Sequence, residues 1–159
     1  MPHLIVEYSN NIKDSAIDNL FIKIQEVMQG MTEGNFDFDQ CKCRKIGFDD
    51  YLVGKFSSED SAFIHVTIKI LAGRNLEVKK QLAEKSMQAL KAVYDNLATS
   101  PSAKDHLIET AQELGDAISG VPHVAMPMQN SDLAGKRCDL SVDIVDMERE
   151  TYQKVRIGK

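Results

Sequence analysis

The residue at position 2 is a proline, and its position makes it a candidate for chemistry. Methionine before a small residue is a good substrate for removal, which would leave the chain opening on the secondary amine of Pro2. A free α-amine titrates near neutrality. Partial burial and nearby cations both disfavour its charged form and lower its pKa. A neutral amine at pH 7 is a general base, and its conjugate acid can return the proton elsewhere on the same molecule. Three cations could accompany it. Arg74 sits in a Gly-containing turn between an expected strand and a helix N-terminus, where anions are favoured. Lys42 and Arg44 share one face of an expected strand. Arginine holds a carboxylate in a bidentate fork, whereas lysine acts as a point charge. The plain alternative for Lys42 and Arg74 is ordinary solvated surface charge.

Other reactive side chains point to less. His3 and His65 lie within expected strands and read as satisfied, partly buried histidines rather than bases. Cys41, Cys43 and Cys138 are an odd number, and the first two are too close for a comfortable mutual disulfide. They read as reduced thiols of a cytoplasmic protein. A zinc site would need further ligands such as His65 or His123, and Cys-x-Cys is not the usual structural spacing, so no metal is expected. No Gly-rich phosphate loop, Gly-x-Ser-x-Gly elbow or His-Glu-x-x-His is present.

The elements that must position these residues follow from hydropathy patterning. His3 to Tyr8 is short, β-branched and bounded by polar residues, so it predicts a strand. Ile17, Leu20, Phe21, Ile24, Val27, Met28 and Met31 recur at three- and four-residue steps and predict a helix over about 14–29. Residues 40–47 predict a second strand, with Gln40, Lys42 and Arg44 on one face and Cys41, Cys43 and Lys45 on the other. Residues 48–60 read as loop with some β character around Tyr51 to Phe56. Phe63 to Ile70 is the clearest strand. A second helix follows, capped by Asn75, with Leu76, Leu82, Ala83, Met87, Leu90, Val93, Tyr94 and Leu97 as its buried stripe. Pro101 breaks that pattern. Leu107, Ile108, Ala111, Leu114 and Ile118 then predict a third helix that stops at Gly120, followed by a loop. Strand character returns over Leu140 to Val145.

Without residues 99–138, two similar βαβ halves remain. The expected fold is α/β (α+β in some schemes): a four-stranded mixed sheet with two helices on one face, plus an inserted helix and loop. The other sheet face would be bare, and a second copy of the chain is the simplest cover for it. One domain over 1–159 with an insertion at about 99–138 is the expected organisation.

Composition excludes several classes. The 159 residues are 43% hydrophobic and 27% charged, close to a globular average, which excludes collagen and wholesale disorder. A net charge of −5, sparse aromatics and no Trp argue against a nucleic-acid partner. No apolar run is long enough for a membrane helix, and the N-terminal run meets Glu7 too early for a signal peptide.

Two stretches carry a resemblance. Residues 1–12, MPHLIVEYSNNI, and residues 62–77, AFIHVTIKILAGRNLE, resemble the opening and the central strand-turn of the 5-carboxymethyl-2-hydroxymuconate Δ-isomerase family, within the tautomerase superfamily. Residues 139–147 are similar to its last long strand, so the resemblance covers about 1–98 and 139–159. It implies a βαβ-βαβ fold, a homotrimer, no cofactor, and an N-terminal proline that moves a proton on a carboxylated dienol of aromatic catabolism. Carried over, Pro2 is the catalytic base and acid and Arg74 binds substrate. Arg44 matches the second of two arginines in the family's pattern. Lys42 stands where the first would be, keeping the charge but losing the fork. The expected function is a cofactor-free cytoplasmic isomerase acting on a small anionic 2-hydroxydienoate. The alternatives are a tautomerase with another substrate, or a non-catalytic trimeric binding protein should Met1 stay in place and leave the Pro2 nitrogen an amide.

Overall fold

The computed structural model describes residues 2–36, 38–56, 60–99 and 136–148. The predicted third helix and its following loop lie outside the described residues.

Among the described residues, four strands and two helices appear in the order β1 (His3–Ser9), α1 (Asp14–Gln29), β2 (Lys42–Phe48), β3 (Ser61–Leu71), α2 (Leu76–Thr99) and β4 (Arg137–Met147). Sheet order is β2-β1-β3-β4. β1 pairs parallel with β2, and β3 parallel with β4, while β1 and β3 run antiparallel at the centre. Each parallel pair is bridged by a helix, as a parallel connection requires. The expected mixed sheet of two βαβ halves is therefore what the chain forms.

Side-chain alternation decides which face is buried. On β1, Leu4, Val6 and Tyr8 point inward, and on β3 so do Ala62, Ile64, Val66, Ile68 and Ile70. They meet Ile17, Leu20, Ile24 and Met28 of α1 and Val78, Leu82, Leu90 and Val93 of α2 in a single core. Ion pairs fasten each helix to its outer strand: Lys45 of β2 reaches Asp14 at 3.3 Å and Asp18 at 2.9 Å on α1, and Lys79 of α2 pairs with Asp146 of β4. Tyr8, buried at the floor of this edge, donates its hydroxyl to Asp14.

The helix boundaries have local causes. Asn75 Oδ1 accepts the Val78 N–H at 2.8 Å, the predicted N-cap of α2. That cap turns the first helical residue outward. Leu76, expected in the buried stripe, is 66% exposed, and Val78 takes the inward place. The second strand starts later than expected because residues Phe38–Gln40 close a 3₁₀ turn first. It ends later because Ser9 of β1 still pairs with Phe48.

Beyond the helices, the second face of the sheet carries His3, Ile5 and Glu7 from β1, Lys42, Arg44 and Ile46 from β2, Phe63, His65, Thr67 and Lys69 from β3, and Asp139, Ser141 and Asp143 from β4. No described helix or strand packs on this face; at one end of it Tyr51, from the loop after β2, sets its ring edge-on against Phe63, 5.4 Å between centroids. No described helix is long and apolar enough to cross a membrane.

Candidate functional site

Strand register brings three of the four predicted site residues to one end of the sheet. β1 enters at Pro2, which is buried, and its carbonyl accepts the Lys42 N–H at 3.1 Å. His3 is flanked in register by Lys42 on one side and Lys69 on the other. One step further along β3 past Lys69 lie Ile70 and Leu71, and then the turn that carries Arg74. Thus Pro2, Lys42 and Arg74 all belong to the end of the sheet where β1 begins and β3 finishes. Arg44 stands one strand step inward on the bare face, beside Ile5.

The electrostatics of this end are basic. Arg44 donates a guanidinium N–H to His3 Nδ1 at 3.2 Å. A guanidinium only donates, so His3 Nδ1 carries no proton and the ring is the neutral Nε2–H tautomer. Burial, then Arg44, Lys42 and Lys69, lower the His3 pKa from its usual 6.5. Lys69 was not among the residues singled out from sequence. The signal was present in the alternation of β3, which puts Phe63, His65, Thr67 and Lys69 on one face, but the antiparallel register to His3 was needed to use it.

Arg74 is held more firmly than a surface cation. Its Nε–H donates to the Gly34 carbonyl at 2.8 Å, one NH₂ group to Leu71 at 2.8 Å, and the other to Asn35 at 3.4 Å. The guanidinium also lies over the Phe36 ring, 4.6 Å from its centroid. The loop before β2 is shaped to receive it. Asn35 adopts the left-handed conformation, φ 42°, which asparagine tolerates and which turns its carbonyl and that of Gly34 to the same guest. A Cβ on Gly34 would stand 2.1 Å from the Phe36 ring, so glycine there is what lets Phe36 close over the arginine.

His65 is the satisfied histidine that its strand position predicted. Its Nδ1 lies 2.7 Å from Ser141 Oγ and its Nε2 3.1 Å from Thr67 Oγ1, at mid-sheet and away from the Pro2 end. Among the described residues no cluster of three or more His, Cys, Asp and Glu side chains is placed to hold a metal ion. A shallow groove of about 200 Å³ between the two helices is lined by Ser15, Ala16, Asn19, Val93, Asn96 and Leu97. It lies near the start of α1, at the opposite end of β1 from Pro2, and its lining carries no charged side chain.

Comparison with known proteins adds the following. The family model for 5-carboxymethyl-2-hydroxymuconate isomerase matches residues 2–107. The 5-carboxymethyl-2-hydroxymuconate Δ-isomerase of Escherichia coli is 33% identical over 101 residues, which are 63% of this chain and 78% of that protein. The crystal structure of a 5-carboxymethyl-2-hydroxymuconate isomerase from Deinococcus radiodurans R1 superposes with a TM-score of 0.62 at 22% identity, covering 98% of this chain and 90% of that one. A fused 4-OT wild type symmetric trimer superposes with a TM-score of 0.52 at 15% identity, covering 93% of this chain and 87% of that one. At these identities the structural likeness establishes the tautomerase fold.

Proposed function

This chain belongs to the 5-carboxymethyl-2-hydroxymuconate isomerase family, a family of isomerases, and on that premise we propose that it moves a proton on a carboxylated 2-hydroxydienoate through the amine of Pro2. The observation that carries the reading is the gathering of Pro2, Lys42, Arg74 and, one strand step away, Arg44 at one end of the sheet.

With Met1 removed, the amine of Pro2 begins β1 among cations. Nearby positive charge disfavours protonation of an amine, and Lys42 and Lys69 flank His3, the residue next to Pro2. The neutral nitrogen takes the enol O–H proton. The oxygen electron pair becomes the C=O π bond, the chain of double bonds shifts, and the distal carbon takes a proton back from the prolinium. Every atom of the substrate is kept, and no cofactor enters the balance. Arg74 is the fixed electrostatic group: with its fork already seated on three carbonyls it needs no reorganisation as enolate charge develops. Lys42 and Arg44 are exposed on the bare face and serve as carboxylate-binding charges. That face is where a second copy of the chain would sit, and a homo-oligomer built on it would close over this end of the sheet. The stretch 99–138 is then an insertion into one domain.

Replacement of Pro2 by alanine tests the role. General acid–base groups contribute about 100- to 10,000-fold, and the Pro2→Ala enzyme should lose turnover of the dienol on that scale. Undiminished turnover discards the proton shuttle. Intact mass of the protein from its own host should lack the initiator methionine. A retained Met1 makes the Pro2 nitrogen a non-basic amide and leaves a binding protein in place of the enzyme.

A further inference from the structure

On the inner face of β2, behind the cations, two thiols lie side by side. Cys41 precedes the strand and Cys43 is its second residue, so both side chains point toward α1 while Lys42 between them points to the bare face. Both are partly buried at an edge of the sheet rather than sealed within it, and neither is in a disulfide. Each thiol lies close enough to the other to influence its ionisation. Gln25 of α1 adds a third group, donating its side-chain Nε2–H to Cys43 Sγ at 3.2 Å. An amide donor aimed at sulfur stabilises a thiolate.

We propose that Cys41 and Cys43 form a chelating dithiol site for a soft centre that accepts two sulfurs at once, a trivalent organoarsenical or a monovalent copper ion. Soft thiolates select soft partners. Cys43 lowers the ionisation of Cys41, while Cys41 and burial raise that of Cys43, so the first proton leaves Cys41. Cys138 supplies the contrast within the same chain: it lies on β4, at the far edge of the sheet, and burial pushes its thiol up to about 12.

With an organoarsenical the step balances without redox chemistry. Each S–H gives up its proton, two As–S bonds form, and the arsenic-bound oxygen leaves as water. With copper, two protons are released and two Cu–S bonds form. The residue between the two sulfurs is Lys42, whose N–H holds the Pro2 carbonyl, so an occupied site sits directly behind the first turn of the chain.

Phenylarsine oxide, and separately Cu(I) under anaerobic conditions against a coloured chelator, test the site on the folded, reduced protein. One equivalent of either should be retained through exchange with a monothiol and released by a dithiol, as read by intact mass for the arsenical and by absorbance for copper. Chelation by two linked groups is worth about 100-fold or more in retention. Cys41→Ser and Cys43→Ser should each lose that factor, and Cys138→Ser should keep it; Cys41→Ala and Cys43→Ala, matched by circular dichroism, guard against misfolding. Retention of the arsenical alone or of copper alone identifies the partner. Retention that survives loss of Cys41 or Cys43, or failure of both probes to bind the unaltered protein, overturns the proposal.

Discussion

Arg74→Ala removes the hydrogen bonds to Gly34, Leu71 and Asn35 and the contact with Phe36 in a single change, and their cost can be worked out from their geometry. The donors to Gly34 and Leu71, both at 2.8 Å, are short and partly buried; the third, to Asn35 at 3.4 Å, is long and exposed. A charged donor contributes about 1.5–3 kcal/mol where well buried, and half-exposure brings the two short bonds to about 1 kcal/mol each. The guanidinium on Phe36 adds about 0.5–1 kcal/mol. The sum is about 2–3 kcal/mol. For a chain of 159 residues that corresponds to a fall in Tm of about 4–12 °C. Thermal unfolding at fixed protein concentration and neutral pH is the assay. Arg74→Lys sharpens it: the ammonium keeps the charge, yet a point donor cannot span carbonyls that the fork reaches from three nitrogens. Lysine should therefore recover less than half of the lost stability. An alanine variant that melts within about 1 °C of the parent, or a lysine variant as stable as the parent, would refute the account of Arg74 as a strut between the β3 turn and the loop before β2.

Three further outcomes follow from the same geometry. Arg44→Ala removes the largest charge acting on His3, so the His3 pKa should rise toward 6.5, read from the imidazole ring protons by NMR; an unmoved titration contradicts the 3.2 Å contact. A depressed histidine pKa means that the folded state opposes protonation, so this contribution to stability is full when the pH is above 6.5 and fades as the pH falls through 6.5 toward the folded value. Tyr8→Phe deletes the hydroxyl that is the main cause of the lowered Asp14 pKa, so the Asp14 carboxyl should titrate closer to 3.8, checked by carboxyl-carbon NMR; Lys45 alone should hold it only partly down. Asn75→Ala strips the cap from α2 and should cost about 1 kcal/mol in denaturant unfolding, whereas Asn75→Asp should keep most of it.

Much of the fold was legible because it is written in periodicity. The apolar steps from Ile17 to Met28 match α1 over Asp14–Gln29, and the β-branched run of β3 stands out because it is central and buried on one face. Apart from the start of β2, which the 3₁₀ turn at Phe38–Gln40 delays, the misjudged strand boundaries have one cause: a strand end is set by its neighbour. β3 and β4 each extend to eleven residues because they pair along their whole length, from Ser61 opposite Arg137 to Leu71 opposite Met147. Neither sequence alone records that mutual extension. Leu76 failed for a local reason, since apolar character at the first turn of a helix does not decide its facing when the cap has already set the entry angle.

The candidate site was legible in its residue types and illegible in its bonding, for a physical reason. Lys42, Arg44 and Arg74 could be chosen because each carries a charge intrinsic to its side chain, and Pro2 because of its position directly after Met1. Besides the Phe36 ring, Arg74 is held by backbone: it donates to the carbonyls of Gly34, Asn35 and Leu71, groups that every residue possesses and that no residue type announces. Only Gly34 and Asn35 leave a trace, one because a Cβ would collide with Phe36 and the other because it accepts positive φ. The same logic explains Lys69. A cation on β3 is anonymous until the antiparallel register sets it opposite His3, and a slip of one residue would turn it into the core and bring Ile68 or Ile70 to the same place. The basic end of the sheet is thus a consequence of register, and register is held by the buried row of Leu4, Val6, Ile64, Val66 and Ile68 on the opposite face. The core residues least concerned with chemistry are the ones that put the charges beside the proline.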